Sequence, residues 1–354
     1  MSMMRPITIA GGGLAGLSLG ILLREEGIPV TLYEAGEYPR HRVCGEFMSG
    51  RGVRVLGRMG SEKAWIERGG RWAETALFAT GRTSSGPRVL PERALCLSRH
   101  TVDAELARVF AQRGGELREG ARWTEGFGQE GVVRATGRRL AGTGREEGSR
   151  LLGLKAHARG VTMEADLEVH LIPEGYVGLC RLGDGMVNVC GLFRRNEPAP
   201  DVAERWREYL RGPEGSSLRR RMEGAKFEEE SFRAVAGLDL AARGWGGVTN
   251  ISGGEWSVGD SLTMIAPVAG NGMSMALESA AISAEELSAY SRGEAGWKEA
   301  RERAARRCAA AFGARLRWAR WLHEGLLSGR AADLVLRVAG WCPGGWRFLF
   351  GRTR

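Results

Sequence analysis

A glycine-rich turn between two short apolar strands constrains the fold of this chain more than any other feature. Residues 6–10 have the pattern of a buried strand, and the run Gly11-Gly12-Gly13-Leu14-Ala15-Gly16 follows at once. An apolar helix extends from there to about Glu26, and a second strand over residues 29–33 ends at Glu34. Strand, G-x-G-x-x-G, helix, strand and an acidic residue about 20 positions further on form the complete fingerprint of a dinucleotide-binding βαβ unit.

Each glycine of this fingerprint, and the acidic residue, has a physical role. Gly11 permits the tight turn, Gly13 lets the backbone approach a pyrophosphate, and Gly16 lets the helix and strand pack closely. The helix N-terminus offers free N–H groups and its positive dipole end to the phosphates. Glu34 can accept hydrogen bonds from both ribose hydroxyls, and its charge disfavours a 2′-phosphate. The predicted dinucleotide contacts of this unit are Gly11, Gly13, Leu14, Ala15, Gly16, Glu34 and Ala35.

A second glycine-rich segment lies near the other end of the chain. A strand ends at Gly259-Asp260, a loop runs to Pro267, and Gly270-Asn271-Gly272 opens a long helix that extends to about Tyr290. A helix that begins at such a turn directs its dipole at whatever lies beyond it, and this dipole stabilises negative charge.

Together the two segments resemble FAD-dependent class A monooxygenases of the p-hydroxybenzoate hydroxylase-like fold, and their relatives the geranylgeranyl reductases and flavin-dependent halogenases. The resemblance covers residues 5–290, and the second segment matches the motif G-D-x(6)-P-x-x-G-x-G. It implies that the cofactor is FAD, with Asp260 at the ribityl chain or its phosphate end and the glycine turn against the flavin ring. The contacts implied by the resemblance are Gly259, Asp260, Pro267, Gly270, Asn271, Gly272 and Met273.

Two shorter matches add candidate site residues. The segment from Arg99 to Asp103, with Leu106, resembles the family helix R-x-x-x-D-x-x-L, whose arginine reaches the cofactor; an incidental arginine on a surface helix is the alternative. Arg42-Val43-Cys44-Gly45-Glu46 resembles the C-G-E loop that lies beside the flavin ring in geranylgeranyl-reductase-like members. The match implies that Arg42 contacts the cofactor and that Cys44 and Glu46 are catalytic. For the cysteine, the alternative is a small buried hydrophobic residue.

The chain also departs from the family pattern in the middle. The strand end expected to carry an Asp-Gly motif reads Ala135-Thr136-Gly137, a strand-to-loop crossing that implies cofactor contacts but lacks the acid. Any NAD(P)H would therefore bind only transiently, or a separate flavin reductase or other electron donor would act as partner. The halogenase motif W-x-W-x-I-P is absent, and the reductase motif Y-x-W-x-F-P is present only in part, around Tyr176.

The remaining sequence predicts an α/β (α+β two-domain) architecture. Residues 161–193 alternate as strands of an antiparallel meander, and residues 198–235 are charged and predicted to be helical. We expect a Rossmann-like FAD-binding domain with an inserted antiparallel β-sheet substrate domain and C-terminal helices. The predicted ranges are 1–72, 96–155 and 236–300 for the FAD-binding domain, 73–95 and 156–235 for the substrate domain, and 301–354 for the helical region.

Composition limits the setting and the partners. The net charge of +9 is spread along the whole chain, which argues against a nucleic-acid partner. The six cysteines form no C-x-x-C pair and no zinc-like spacing with histidine, so we expect no metal and a reducing, cytoplasmic setting. No long uncharged apolar stretch is present. The basic, tryptophan-rich C-terminus predicts either peripheral membrane contact or packing over the flavin domain: Arg315, Trp318, Arg320, Trp321, Leu326, Leu327, Leu334, Val335, Trp341, Trp346 and Phe348.

The expected activity is that of an FAD-dependent oxidoreductase. The frequency of hydroxylases in the family favours a monooxygenase that acts on a hydrophobic aromatic or polyketide-like substrate of secondary metabolism through a flavin C4a-hydroperoxide. The C-G-E loop and the missing acid favour the alternative, a geranylgeranyl-reductase-like enzyme that reduces C=C bonds of a prenyl or polyene lipid. An electron-transfer flavoprotein without substrate oxygenation is a third class, disfavoured because the second motif directs a helix dipole at the ring.

Overall fold

The computed structural model describes residues 4–137, 150–173, 175–195, 202–238 and 254–326, together with Asp333 and Gly351. The strands in these ranges are β1 (Ile7–Ala10), β2 (Val30–Tyr33), β3 (Phe47–Ser49), β4 (Arg71–Ala79), β5 (Arg88–Cys96), β6 (Glu116–Arg118), β7 (Val132–Arg134), β8 (Arg150–Arg159), β9 (Leu167–Ile172), β10 (Gly175–Arg181), β11 (Val187–Arg195), β12 (Lys226–Leu238) and β13 (Trp256–Ser257). The α-helices are α1 (Leu14–Glu25), α2 (Arg51–Leu56), α3 (Glu62–Glu67), α4 (Arg99–Gln112), α5 (Val202–Arg211), α6 (Ser217–Arg221), α7 (Gly272–Ser291) and α8 (Trp297–Leu326).

A five-stranded parallel sheet forms the first layer, in the order β13-β7-β1-β2-β6. Helix α1 connects β1 to β2 in the predicted βαβ unit. Ten of its twelve residues are buried, because it packs against both α4 and α7 as well as the sheet. The same apolar cluster includes Leu17 and Ile21 of α1 and Leu277 of α7. The predicted dinucleotide-binding unit is therefore confirmed as part of a Rossmann-like fold.

The second sheet has eight strands, in the order β12-β8-β11-β10-β9-β4-β5-β3. The predicted antiparallel meander is present as β9, β10 and β11. The sheet is mixed rather than purely antiparallel, since β4 and β9 run parallel. Between these two strands the chain completes β5, α4 and two strands of the first sheet, and it returns to the second sheet with β8.

The prediction of helix over residues 198–235 is correct for α5 and α6 and wrong for the segment from Lys226 onward, which is strand β12. This strand pairs with β8 at the edge of the second sheet and has two register irregularities. An edge strand has little buried surface, so its run of three glutamates, residues 228–230, hides the alternation that marks a strand. Strand β8 begins six residues before the predicted start of the substrate domain at 156, and those domain boundaries stay a prediction.

The two faces of the second sheet are covered differently. Its outer face packs against α5 and α6 through an apolar cluster that includes Leu154, Val189 and Trp206. Its inner face packs against residues 262–268 and against α8, through a cluster that includes Tyr176 and Phe312. The second predicted cofactor motif therefore lies against the inner face.

Helix α8 is part of the predicted C-terminal helical region. Trp321 is 54% exposed and stacks on Trp318 at a centroid distance of 4.9 Å. Arg315 is buried and forms an ion pair with Glu278 of α7, with a shortest N–O distance of 2.7 Å. No described helix is both long and apolar enough to cross a membrane. The residues outside the described part of the chain include Leu327, Leu334, Val335, Trp341, Trp346 and Phe348, which the predicted membrane contact involves.

Candidate cofactor and active site

The three glycine-containing strand ends meet at the carboxyl edge of the parallel sheet. Gly11 follows β1 with φ of +112°, and a Cβ atom there would overlap the backbone of Ala135 after β7. A Cβ atom on Gly16 would overlap the carbonyl oxygen of Gly11. Glycine is therefore required at both positions by conformation or close approach. The carboxyl edge of such a sheet is where ligands bind in doubly wound folds.

The second motif joins this edge directly. Gly259 has φ of +61°, and a Cβ atom there would lie 2.8 Å from the Cβ of Ala15 in α1. The Ser261 hydroxyl donates to the carbonyl oxygen of Gly137 at 2.9 Å. Segments predicted separately near residues 11, 136 and 260 are thus one surface. Asp260 is exposed there, while Met273 is buried at the start of α7.

Two helices begin at this surface without side-chain caps. Neither α1 nor α7 has a side-chain cap hydrogen bond or an acidic residue in its first turn. Gly270, at φ of +64°, precedes the first turn of α7. The free N–H groups of α1 fit a diphosphate, and those of α7 fit an electron-rich ring. The residues present therefore fit FAD in the two places that the sequence motifs predict.

A cluster of arginines adds positive charge beside the first glycine turn. Arg99 pairs with Asp103 through two hydrogen bonds of 2.8 and 2.7 Å, and its side chain is only 12% exposed. Arg99 is therefore largely buried rather than on the surface, and its contact with the cofactor stays a prediction. Arg42 lies 3.4 Å from Asp103 and 3.6 Å from Glu34, and the buried Nε of Arg40 has no hydrogen-bond acceptor among the described residues. These three guanidinium groups outnumber the two carboxylates, Glu34 and Asp103, so the cluster has a net positive charge that can bind an anionic diphosphate.

Glu34 is engaged more fully by the protein than the predicted ribose contact requires. Its oxygens accept hydrogen bonds from the N–H groups of Gly12 and Gly36, at 2.8 and 2.9 Å, and from Arg40 at 2.7 Å. Burial raises the pKa of Glu34, but the hydrogen bonds from Arg40 and Gly36 lower it by more than burial raises it. The pKa is therefore below its usual value, and the carboxylate stays ionised. A ribose would have to share these acceptors, and its contact with Glu34 and Ala35 remains a prediction.

The C-G-E loop lies between α4 and the inner face of the second sheet. Glu46 is fully buried at φ of +60°, an uncommon conformation for a residue with a side chain. Its Oε1 accepts hydrogen bonds from the Ser98 hydroxyl at 3.2 Å and from the Arg99 N–H at 3.0 Å. Its Oε2 lies 2.6 Å from His157 Nε2 of β8. Both oxygens are occupied, so Glu46 is an ionised anchor in this structure.

Further titratable groups extend from Glu46 toward the surface. The Nζ atom of Lys155 is buried 3.4 Å from Glu46 Oε1 and 3.1 Å from His41 Nδ1. The rings of His41 and His100 stack with centroids 4.5 Å apart, and both residues are half-buried. We refer to these five residues, His41, Glu46, His100, Lys155 and His157, as the Glu46 cluster.

Burial sets the charge state of this cluster. It lowers the pKa of Lys155, and it lowers the pKa of His41 to about 3 with the help of the Lys155 charge. Burial raises the pKa of Glu46, but His157 and Lys155 lower it below its usual value. His41, Glu46 and His157 have the residue types of a metal site. The Lys155 amine lies between His41 and Glu46, so a metal ion bound by these residues would be repelled by the lysine charge. The geometry therefore favours an ion pair of Glu46 with Lys155 over a metal site.

Cys44 lies on the cofactor side of the same loop. The side-chain amide of Asn188 donates to the Cys44 carbonyl at 2.9 Å, and the thiol contacts Arg99. Burial raises the pKa of the Cys44 thiol above its usual range, despite the charge of Arg99. The Oδ1 atom of Asn188 is buried with no hydrogen-bond donor among the described residues. The loop therefore holds a neutral thiol beside Arg99.

Sequence analysis did not identify several residues of this site. Phe47 packs its ring where a Cβ atom on Gly270 would lie, which connects the C-G-E loop to the second motif. Lys155, His157 and Asn188 lie on strands whose pairing partners are distant in sequence. One signal was present: only four of the 51 Lys and Arg residues are lysines, and one of them, Lys155, stands between Leu154 and Ala156 in strand β8.

Comparison with known proteins agrees with this geometry. Residues 4–175 match the family model described as an FAD binding domain. Over 320 residues the chain is 24% identical to a menaquinone reductase of Mycolicibacterium smegmatis, covering 79% of this chain and 75% of that protein.

Solved structures share the fold at lower sequence identity. A geranylgeranyl bacteriochlorophyll reductase-like protein from Thermoplasma acidophilum superposes with a TM-score of 0.71 at 16% identity, covering 95% of this chain and 91% of that one. The P. aeruginosa protein PqsL, in complex with 2-aminobenzoylacetate, superposes with a TM-score of 0.70 at 16% identity, covering 94% and 99%. These likenesses support the whole predicted architecture, including the second sheet.

Proposed function

We propose that this FAD-dependent oxidoreductase reduces a carbon–carbon double bond of an apolar prenyl or polyene lipid. The observation that carries the proposal is the position of Cys44. Its thiol lies beside Arg99, in a loop that Glu46 anchors to α4 and to the second sheet. We call the surface formed by residues 11–16, 135–137 and 259–261, together with Arg99, the cofactor cradle.

Reduction of a double bond requires a hydride and a proton. Bound FAD supplies the hydride with its electron pair. The proton must come from the protein, and the Cys44 thiol suits this role because its raised pKa keeps it protonated at neutral pH. A cysteine nucleophile would instead need a lowered pKa. Arg99 holds the thiol in place, and the backbone of Cys44 is fixed by Asn188.

The second motif packs against the inner face of the second sheet in apolar surroundings. Leu167, Leu171 and Leu192 belong to one buried cluster with Leu262 and Ile265 of the second motif. Apolar surfaces with few polar groups bind apolar ligands and exclude water. The relative named menaquinone reductase supports reductive chemistry on a prenylated substrate.

Hydroxylation is the second candidate, and the same apolar surface favours it. A water-excluding environment protects reactive oxygen species formed during hydroxylation. A hydrophobic aromatic or polyketide-like molecule would then be the substrate. The two candidates differ in their need for oxygen, because reduction proceeds without it.

An anaerobic single-turnover experiment separates the candidates. The holoprotein is reduced without oxygen and mixed with a polyene that carries no quinone ring, and the FAD absorbance and the product mass are measured. Reduction predicts that the spectrum of oxidised FAD returns without oxygen and that the product gains two hydrogens. Return of that spectrum only after air is admitted, with an oxygen atom added to the product, would instead support the monooxygenase.

Variants of Cys44 test its role within this experiment. Cys44→Ala should slow the anaerobic reaction by about a hundredfold, which is typical for loss of a general acid. Cys44→Ser is the matched control because it keeps a proton-donating group of similar size. Equal rates for the wild type and Cys44→Ala would remove Cys44 from the reaction.

A further inference from the structure

Three of the five histidines of this chain lie in the Glu46 cluster, although the residues come from widely separated segments. We propose that the cluster is a proton relay from solvent to the cofactor-side loop. Protons enter at His41 and His100, pass through Lys155, and reach the Glu46–His157 pair behind Cys44. The use of the delivered proton rests on the proposed reduction, whereas the relay itself is independent of the substrate.

The contacts of the cluster form a continuous path. His41 Nδ1 lies 3.1 Å from Lys155 Nζ, and Lys155 Nζ lies 3.4 Å from Glu46 Oε1. On the other carboxylate oxygen, His157 Nε2 lies 2.6 Å from Glu46 Oε2. Every member of this path can gain or lose a proton, which arginine in its place could not do. The burial of Lys155 is costly for a residue of purely structural purpose.

The two ends of the path have the surroundings that a relay requires. At the outer end His41 and His100 are half-buried and therefore in contact with solvent. At the inner end His157 stands opposite Asn188 in the pairing of β8 with β11, and Asn188 is bonded to the backbone of Cys44. The Glu46 N–H lies 3.5 Å from the Cys44 sulfur, so the pair and the thiol lie together in one loop.

The cluster is also connected to the cofactor cradle. The Arg99 N–H donates to Glu46, and the Arg99 guanidinium lies 3.9 Å from the Cβ position of Gly13 in the first glycine turn. Negative charge added to the bound cofactor raises the proton affinity of groups near it. The other titratable or charged groups that face the cluster are Cys44 on the loop, Arg99 on α4, Cys180 on β10, Cys190 on β11 and Arg233 on β12.

The proton balance of the relay is simple. For each double bond reduced, Cys44 gives one proton to a substrate carbon while the other carbon receives the hydride and its electron pair from FAD. The thiolate takes a proton back through the Glu46–His157 pair, and solvent returns one proton to His41. The electrons come from an external donor of the NAD(P)H class.

Proton uptake by the holoprotein tests the relay without any substrate. FAD is reduced electrochemically under anaerobic conditions in weakly buffered solution, and a pH-indicating dye reports protons taken up per FAD. The variants are His41→Gln, Lys155→Met and His157→Gln. The matched control is His170→Gln, which alters a buried Glu–His pair on the outer face of the same sheet.

We expect Lys155→Met and His157→Gln to take up protons about a hundredfold more slowly than the wild type, because each interrupts the path while the number of protons per FAD is unchanged. His41→Gln should take up the same number about tenfold more slowly, and His170→Gln should match the wild type in both. Equal uptake rates in all five proteins would overturn the relay. If Lys155→Met fails to bind FAD, His41→Gln decides the question, because it alters a half-buried residue: a rate equal to that of His170→Gln overturns the proposal.

Discussion

The second sheet carries a histidine paired with a buried glutamate on each of its faces. On the outer face His170 Nε2 lies 2.8 Å from Glu168 Oε2, and on the inner face His157 Nε2 lies 2.6 Å from Glu46 Oε2. All four side chains are almost completely buried. The two pairs are chemically alike, so their differences must come from their neighbours.

The outer pair is closed by fixed donors. Glu168 accepts hydrogen bonds from the N–H groups of Glu164 and Ala165 and from Arg221 at 3.0 Å. His170 Nδ1 lies 3.1 Å from the hydroxyl of Ser217 at the start of α6. Arginine does not lose its proton in proteins, so this arrangement is static and fastens α6 to the sheet.

The inner pair instead continues into Lys155, His41 and His100, which all titrate, and it joins the second sheet to α4 beside the cofactor cradle. The comparison shows how one pair of residue types can serve structure or chemistry. The deciding difference is whether the cationic side chain paired with the glutamate is an arginine or a lysine.

The largest expected effect comes from removing each glutamate. Glu168→Leu and Glu46→Leu should each lower the free energy of unfolding by about 3 kcal/mol, because each leaves buried cationic donors unpaired. Urea unfolding of the apoprotein measures this loss. Only Glu46→Leu should also weaken FAD binding to the folded protein, by about tenfold or 1.4 kcal/mol, since Glu46 orients Arg99. Equal weakening in Glu168→Leu would contradict the comparison.

Replacing the cations separates the pairs further. Arg221→Met should cost about 2 kcal/mol, because Glu168 and Glu164 both lose a charged donor. Lys155→Met should cost less, about 1 kcal/mol, because the Glu46 carboxylate keeps its contacts with Ser98, Arg99 and His157. Denaturant titrations of the two variants give the comparison. A larger loss for Lys155→Met would show that this lysine is chiefly structural.

The pH dependence of stability provides a third test. The pKa of His41 is about 3 in the folded chain, below its ordinary value of about 6.5. The unfolded chain therefore binds more protons between these values, and stability rises with pH through this window. The slope from His41 stays below about 1.4 kcal/mol per pH unit, because the residue is half-buried and partly screened by solvent.

The carboxylates Glu46 and Glu168 act in the same direction at lower pH. Their pKa values are lowered, so their stabilisation is present above the unfolded pKa near 4.3 and is lost on further acidification. Between about pH 4.5 and 6.5, the change of stability with pH therefore comes from histidine residues rather than from these carboxylates. His41→Gln should lower the slope there, and the remaining rise comes from His323, whose pKa burial lowers to about 4, and from His100, whose pKa burial also lowers. An unchanged slope in chemical unfolding series would refute this assignment.

The smallest effects come from the two serines. Ser98→Ala removes both the N-cap of α4 and a donor to Glu46, and should cost about 1 kcal/mol. Ser217→Ala removes only the contact with His170 and should cost about 0.5 kcal/mol. Thermal unfolding of both variants beside the wild type measures the order, and the reverse order would place the tighter network on the outer face.

The cofactor cradle was predictable from sequence because its signals are local. The tight turn at Gly11, the close approach at Gly16 and the turn before α7 each require glycine where the motif has it. These motifs do not depend on distant pairing. Their convergence follows from one rule, that parallel strands in such sheets bring their carboxyl ends together.

The Glu46 cluster was not predictable because its bonds join distant segments. Glu46 and His157 are 111 residues apart, and His41 and Lys155 are 114 apart. No local pattern specifies such a pairing. The sequence prediction of Glu46 as a catalytic residue rested on the C-G-E resemblance, and in the structure both its oxygens are held by neighbours. The strand β12 was missed for a related reason, since its identity depends on pairing with β8.

Reduction of a substrate double bond is the central claim, and isotopic oxygen tests it most directly. The holoprotein is supplied with its electron donor and a polyene that carries no quinone ring under oxygen gas enriched in the heavy isotope, and the product is analysed by mass spectrometry. The account predicts a product with two added hydrogens and no labelled oxygen, formed equally well without oxygen. A product that carries one labelled oxygen atom, and that disappears when oxygen is withheld, would contradict it.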